Sequence, residues 1–287
     1  MDDTLIRALL TEWRWRPVVL LVLLTLGATY TVGWRHLHVR QVRRERARDA
    51  WRLWSYLSGL IVIGVALLSP IDHFASLLFT AHMIQHLLLM MVAAPLLLLG
   101  NPLPAFLWGL PKTLRRAAGH LLIRRARFRK VLWALTLMPV AWLLYTGTLW
   151  IWHHPVAYQA ALRHHEIHDL EHLTFFGAAL LFWWPIIEPA PRLHGLLHSA
   201  FGIVYLIAAT AQNTLLGMLL ALPDRVLYPH YAEAPRLFGL SALDDQALGG
   251  GIMWSMAHMY LLPILLRVAK ILNRQEQAAR EVEARNN

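Results

Sequence analysis

Residues 75–99 read ASLLFTAHMIQHLLLMMVAAPLLLL, a run without a single Asp, Glu, Lys or Arg. About 20 apolar residues in a helix cross the roughly 30 Å hydrocarbon layer of a bilayer, so this stretch predicts a transmembrane helix. It also carries His82, Gln85 and His86. An ionisable side chain at that depth costs roughly 2–3 kcal/mol on insertion scales, so it needs a partner, a cavity or a ligand.

Working outward, six further apolar stretches of spanning length fall at roughly 17–34, 51–69, 131–151, 168–187, 198–222 and 248–270. With 57% hydrophobic residues and 13 Trp in 287, the chain is neither disordered nor an ordinary soluble domain. The loops are too short for a separate soluble unit. The expectation is an all-α polytopic bundle of seven transmembrane helices, with residues 1–287 forming one integral membrane domain. The first 16 residues begin with acids and lack a small-residue cleavage pattern, so the first span is expected to be retained. Trp13, Trp15, Trp34, Trp150, Trp152, Trp183 and Trp184 fall near predicted span ends, as an aromatic belt would.

The net charge of +10 could suggest nucleic acid, but the basic residues alternate with the spans. The loops at 35–49 (RHLHVRQVRRERARD) and 111–130 (PKTLRRAAGHLLIRRARFRK) and the C-terminal tail are rich in Lys and Arg, whereas 70–76, 152–166 and 223–247 are poor in them. Of the 27 Lys and Arg, 21 fall on one side and six on the other. By the positive-inside rule the N-terminus is external and the C-terminus cytoplasmic. The segment IRRARFRK, 123–130, is expected to contact anionic lipid headgroups at the cytoplasmic face, and no nucleic-acid partner is expected.

With this orientation His82 and His86 lie one to two turns below the outer surface, and His168 and His172 enter a second helix at similar depth. Residues four apart share a helix face, so each H-x-x-x-H aims two imidazoles at one point. Two facing pairs would give a metal site facing the extracytoplasmic side. His258 is a further donor candidate, and His153, His154, His164 and His165 are read as a solvated, His-rich mouth from which His153 could also capture the ion. His36, His38, His120 and His194 are read as ordinary cytoplasmic-side residues. Met90 and Met253 could add thioether, a set that suits Cu(I). The chain has no Cys, which removes disulfides and thiolate sites. Gln85, Asp169, Glu171, Asp245 and Gln246 are candidates for supporting the donors from behind. The plainer alternatives are interhelical hydrogen bonding for each His, packing for each Met and helix N-terminal placement for each acid.

The segment HMIQHLLLMMVAAPLLLLGNPL (82–103) resembles the hallmark of the CtaG family of membrane cytochrome c oxidase assembly factors. WIWHHPVAYQAAL (150–162), HDLEHLTFFGAALLFWWPI (168–186), LYPHY (227–231) and GLSALDDQALGGGIMW (239–254) resemble its later blocks, in order. The resemblance implies a seven-helix protein that helps assemble a haem-copper oxidase, with delivery or insertion of copper as its role and oxidase subunits or a copper chaperone as partners. It maps the family's motifs onto His82, Met83 and His86, onto His168 and His172, and onto Asp245, Gln246, Met253 and Trp254. A metallochaperone rather than an enzyme is therefore the leading expectation. Three others stay open: a metalloenzyme with a dinuclear iron or copper centre acting on a lipid-soluble substrate, a bis-His haem protein, and a structural assembly scaffold.

Overall fold

The computed structural model describes residues 11–39, 43–123, 125–194 and 199–286. Every regular element among them is helical. Among the described residues six helices are long and apolar enough to cross a membrane, seven if a bent pair counts as one span.

Helix α1 (Pro17–His38) and α2 (Arg43–Leu68) form the first two spans. Tyr30 of α1 is fully buried, stacks on Tyr56 of α2 at 3.9 Å and donates its hydroxyl to the Gly100 carbonyl. The short α3 (Pro70–Ala75) follows, its first turn capped by the Ser69 hydroxyl.

The third span is α4 (Phe79–Leu87), a π-helical turn (Leu88–Ala93) and α5 (Ala94–Leu99). Pro95 explains the π turn: it has no N–H to give to residue 91 and its ring crowds that carbonyl, so the chain widens by one residue instead of breaking. Two thirds of this span is buried (67%), which makes it the central helix of the bundle. It closes on Asn101, which adopts φ 52°, and turns into α6 (Pro102–Gly109), packed backbone to backbone against α1. A methyl at Gly33 would overlap the Ala105 carbonyl, so that crossing requires glycine.

The predicted continuous span at 131–151 is corrected. After α7 (Lys112–Leu122), α8 (Arg127–Leu135) and α9 (Met138–His153) meet at a 68° bend. Pro139, the second residue of α9, has no N–H to give to the Leu135 carbonyl, and Leu137 leaves helical geometry with ψ 130°. The Thr136 hydroxyl closes the end of α8 by donating at 2.7 Å to the Leu132 carbonyl, which also accepts the Thr136 N–H.

Helix α10 (Pro155–Arg163) precedes the fifth span, α11 (His165–Ile187). Helix α12 (Ser199–Ala221) is the sixth. After α13 (Pro229–Glu233), the last span begins at Ala242 rather than 248 because Ser241 and Asp244 form a capping box. It runs as α14 (Ala242–Met256), a 3₁₀ turn (Ala257–Tyr260) and α15 (Leu261–Asn286).

Trp183 and Trp184 are corrected as belt residues. Both are buried, and Trp183 donates to the Met90 carbonyl at 3.0 Å, which ties α11 to the π turn. Trp13 and Trp15 are exposed as expected.

Helices α12 and α14 cross at glycine. A Cβ on Gly250 would lie 2.5 Å from the Ala221 nitrogen, and one on Gly217 2.7 Å from the Trp254 nitrogen. Gly250→Val is therefore expected to lower stability by about 1–3 kcal/mol in thermal unfolding of the solubilised protein. Gly251→Ala, one residue along and facing open space, is expected to cost nothing.

Candidate metal centre

Helix α4 presents His82 and His86 on one face, their rings stacked at 4.4 Å. Helix α11 presents His168, Glu171 and His172 toward them. Ring centroids lie 5.1 Å apart for His86 and His172, 5.2 Å for His82 and His168, and 4.2 Å for His168 and His172. The two histidine pairs thus face each other inside the bundle. His82 is fully buried, with His86, Glu171 and His172 nearly so.

Glu171 sits between the rings. Its carboxylate oxygens are 3.7 Å from His82 Nε2 and 3.6 Å from His86 Nε2, too far for hydrogen bonds. That is close to the spacing of two donors sharing one ion at about 2.0–2.1 Å each. Both Glu171 oxygens, both ring nitrogens of His86, and the Nε2 atoms of His82, His153 and His172 are buried without a hydrogen-bond partner. Leaving such a group unpaired costs about 1–3 kcal/mol, so a convergent set of them calls for an ion or ordered water. The residues fit a bound transition metal on this ground.

The surroundings orient the rings. Tyr231 of α13 donates to the Ala75 carbonyl at 2.9 Å, and its oxygen and that of Tyr158 lie 3.1 Å apart, each 3.0 Å from His82 Nδ1. The assignment that satisfies all these contacts has Tyr158 donating to Tyr231 and His82 Nδ1 carrying the ring proton, so that Nε2 keeps its lone pair for the interior. Burial pushes the Tyr231 hydroxyl well above its ordinary value, which keeps it a neutral donor. Tyr231→Phe is accordingly expected to weaken metal binding by about 10–100-fold in a competitive chelator titration while leaving the fold intact.

His153 is removed from the solvated mouth. It ends α9, is 6% exposed, and its Nδ1 donates to the Leu149 carbonyl at 2.7 Å, so Nε2 holds a free lone pair in the interior. His154, His164 and His165 are exposed.

Several expected contributors lie elsewhere. His258 is exposed and its Nδ1 donates to the Ser255 carbonyl at 2.7 Å, away from the cluster. Met90 and Met253 are buried among apolar side chains, and their backbone carbonyls accept from Trp183 and Asn213. Gln85 donates to the Ala66 carbonyl and to Asp72 rather than to the imidazoles. Asp169 is exposed and paired with Arg16. Gln246 pins the connection before α13, accepting from the Leu227 N–H at 2.6 Å. Asp245 caps the N-terminus of α4, accepting from the N–H groups of Phe79 at 2.6 Å and Thr80 at 3.1 Å. On the opposite side, His36 and His194 bond Trp108 and Thr136, as ordinary interface residues do.

Helical spacing does not separate Glu171 from Asp169, since each lies about 80° to one side of the face shared by His168 and His172. Only the packing of α11 turns Glu171 inward, 1% exposed, and leaves the Asp169 side chain 54% exposed. Tyr158, Tyr231 and Asp72 arrive from distant segments and give no local signal.

Residues 28–275 match the family model described as cytochrome c oxidase caa3 assembly factor, Caa3_CtaG. Uncharacterized proteins of Mycobacterium bovis and Mycobacterium tuberculosis are each 26% identical over 285 residues, covering 98% of this chain and 42% of the relative. One from Mycobacterium leprae is 25% identical over 275 residues, covering 91% of this chain and 39% of the relative. The chain thus spans about two fifths of the length of these curated relatives. No solved structure matches it. The matched region runs from within the first span to within the last helix and includes every histidine of the buried cluster, and the chain belongs to the caa3-type cytochrome c oxidase assembly factor family.

Proposed function

We propose that this protein takes up a copper ion in the outer half of the membrane and hands it to a haem-copper oxidase subunit or a copper chaperone during oxidase assembly. The observation that carries this reading is that His82, His86, His168, His172 and Glu171 form two overlapping groups of close donor atoms inside the bundle, with both nitrogens of His86, both oxygens of Glu171 and the Nε2 atoms of His82 and His172 unpartnered. The charge asymmetry supports an external N-terminus, a cytoplasmic C-terminus and a site facing the extracytoplasmic side of a bacterial inner membrane. The basic α7 and α8 would then lie against anionic lipid on the cytoplasmic face.

The donor set refines the metal. Imidazole and carboxylate without thioether favour a divalent ion over Cu(I), so the cargo is held as Cu(II). His82 belongs to both buried donor groups and its Nδ1 is engaged by the two tyrosines, so those groups are alternatives for one ion. That argues against the dinuclear enzyme. A porphyrin would have to displace Phe175, whose ring is 4.6 Å from His86, and Tyr158, 5.1 Å from His82, which argues against bis-His haem.

The test is genetic and analytical. Cells lacking this protein are expected to accumulate caa3-type oxidase deficient in copper, restored by the native chain and not by Glu171→Gln. Oxidase with full copper content in those cells, or a Soret band in the purified protein, would overturn the proposal.

A further inference from the structure

Three groups of donors, each with its ligand atoms within 4.8 Å of one another, lie in sequence from the surface inward: His165, His168 and Asp169; then His82, His168 and His172; then His82, His86 and Glu171. Neighbouring groups share one imidazole, His168 in the first step and His82 in the second. Exposure falls along the series. The His165 and Asp169 side chains are 59% and 54% exposed, His168 is half-buried, and the His82 and Glu171 side chains are 1% exposed. A cavity of about 190 Å³ lined in part by Ser76, His165 and His168 lies at the outer end of the series.

The outermost group carries a competitor. Arg16 Nη1 is 2.9 Å from Asp169 Oδ1, and Arg16 Nη2 is 3.3 Å from Asp72 Oδ2. Asp72 is buried and is also held by Arg14 at 3.3 Å and by Gln85 of α4 at 2.9 Å. Arg16 therefore has a fixed anchor inside and a releasable contact outside. Arg16 holds Asp169 Oδ1 while Oδ2 faces His165 at 3.9 Å, so an ion captured on Oδ2 meets the positive guanidinium across one carboxylate, and the repulsion between them weakens capture while Arg16 is in place.

We infer that the ion reaches the buried donors by ligand exchange through these three overlapping groups, and that Arg16 is a latch on the outermost one. The inference rests on the metal-binding reading above. Sharing an imidazole at each step means that the ion is never without a ligand as it leaves water, which avoids the cost of a bare charge in a low-dielectric interior. Swinging Arg16 fully onto Asp72 frees Asp169 for capture, and its return behind the ion restores the pair.

The experiment follows Cu(II) uptake by the full-length apo-protein in detergent or nanodiscs, by stopped-flow quenching of Trp fluorescence, with final stoichiometry from elemental analysis. His165→Ala combined with Asp169→Asn is expected to keep the stoichiometry and slow uptake roughly tenfold, while Arg16→Gln speeds it roughly tenfold at low salt, an advantage that shrinks as salt is added. Arg16→Lys keeps the charge but cannot fork between two carboxylates, and is expected to fall between Gln and the native residue. His164→Ala, exposed and outside all three groups, is the control and leaves the rate unchanged. Full stoichiometry with unaltered uptake in the His165/Asp169 variant overturns the path. Slow uptake there without acceleration in either Arg16 variant overturns the latch alone. Native protein that takes up no copper overturns the metal centre itself, and the path with it.

Discussion

Replacing His86 and His172 together with alanine is expected to abolish copper retention. These two rings come from different spans and face each other at 5.1 Å, with both His86 nitrogens and His172 Nε2 buried and unpartnered. Removing them leaves His82 and Glu171 without the donors that complete either buried group. At copper a hundredfold above its Kd, the native protein gains about 2.7 kcal/mol of stability from binding, visible as a raised thermal midpoint. The double variant is expected to show no such gain and to carry no copper by elemental analysis when purified without chelators. Native-level copper in a folded double variant would refute the centre as described.

Asp245→Ala is expected to have the largest effect on the fold. The first turn of α4 has N–H groups without intrahelical partners, and its N-cap residue Leu78 offers no capping side chain, so these groups depend on a carboxylate from α14. Two charge-assisted bonds worth about 1.5–3 kcal/mol each are lost, and the cost falls in the range of about 3–5 kcal/mol. His82 sits one turn beyond that cap, so metal affinity is expected to fall as well, by about 10–100-fold. Asp245→Asn keeps an acceptor and is expected to cost roughly half as much in stability. Thermal unfolding and chelator competition on the three proteins check both effects. An alanine variant that unfolds with the native protein would show that α4 does not need this cap.

Much of the fold was legible because a bilayer imposes a length and a polarity on each span that local composition reports directly. The H-x-x-x-H pairs were legible for a similar reason, since helical periodicity fixes which side chains share a face. The bend at Thr136 and Pro139 carried its own local mark, a proline within an apolar run, yet hydropathy averages over it. His153 looked solvated because it adjoins the exposed His154 at the end of a span, and only the packing of α9 against α11 turns it inward. The methionines misled in the opposite direction: polarizable thioether packs as readily as it ligates, and nothing in a single sequence separates the two.

Sequence by itself determined the helical membrane class, the approximate spans, the charge asymmetry and the identity of the four paired histidines, because each of these is written within a segment of some 20 residues. Tertiary structure decided that the pairs meet, that Glu171 rather than a methionine completes them, and that Asp245 acts through the backbone of another helix. It also brought Arg16 and Asp72 to the outer end of the cluster. These outcomes depend on contacts between residues up to 166 positions apart, and such contacts are set by which helix faces fit together rather than by any local preference.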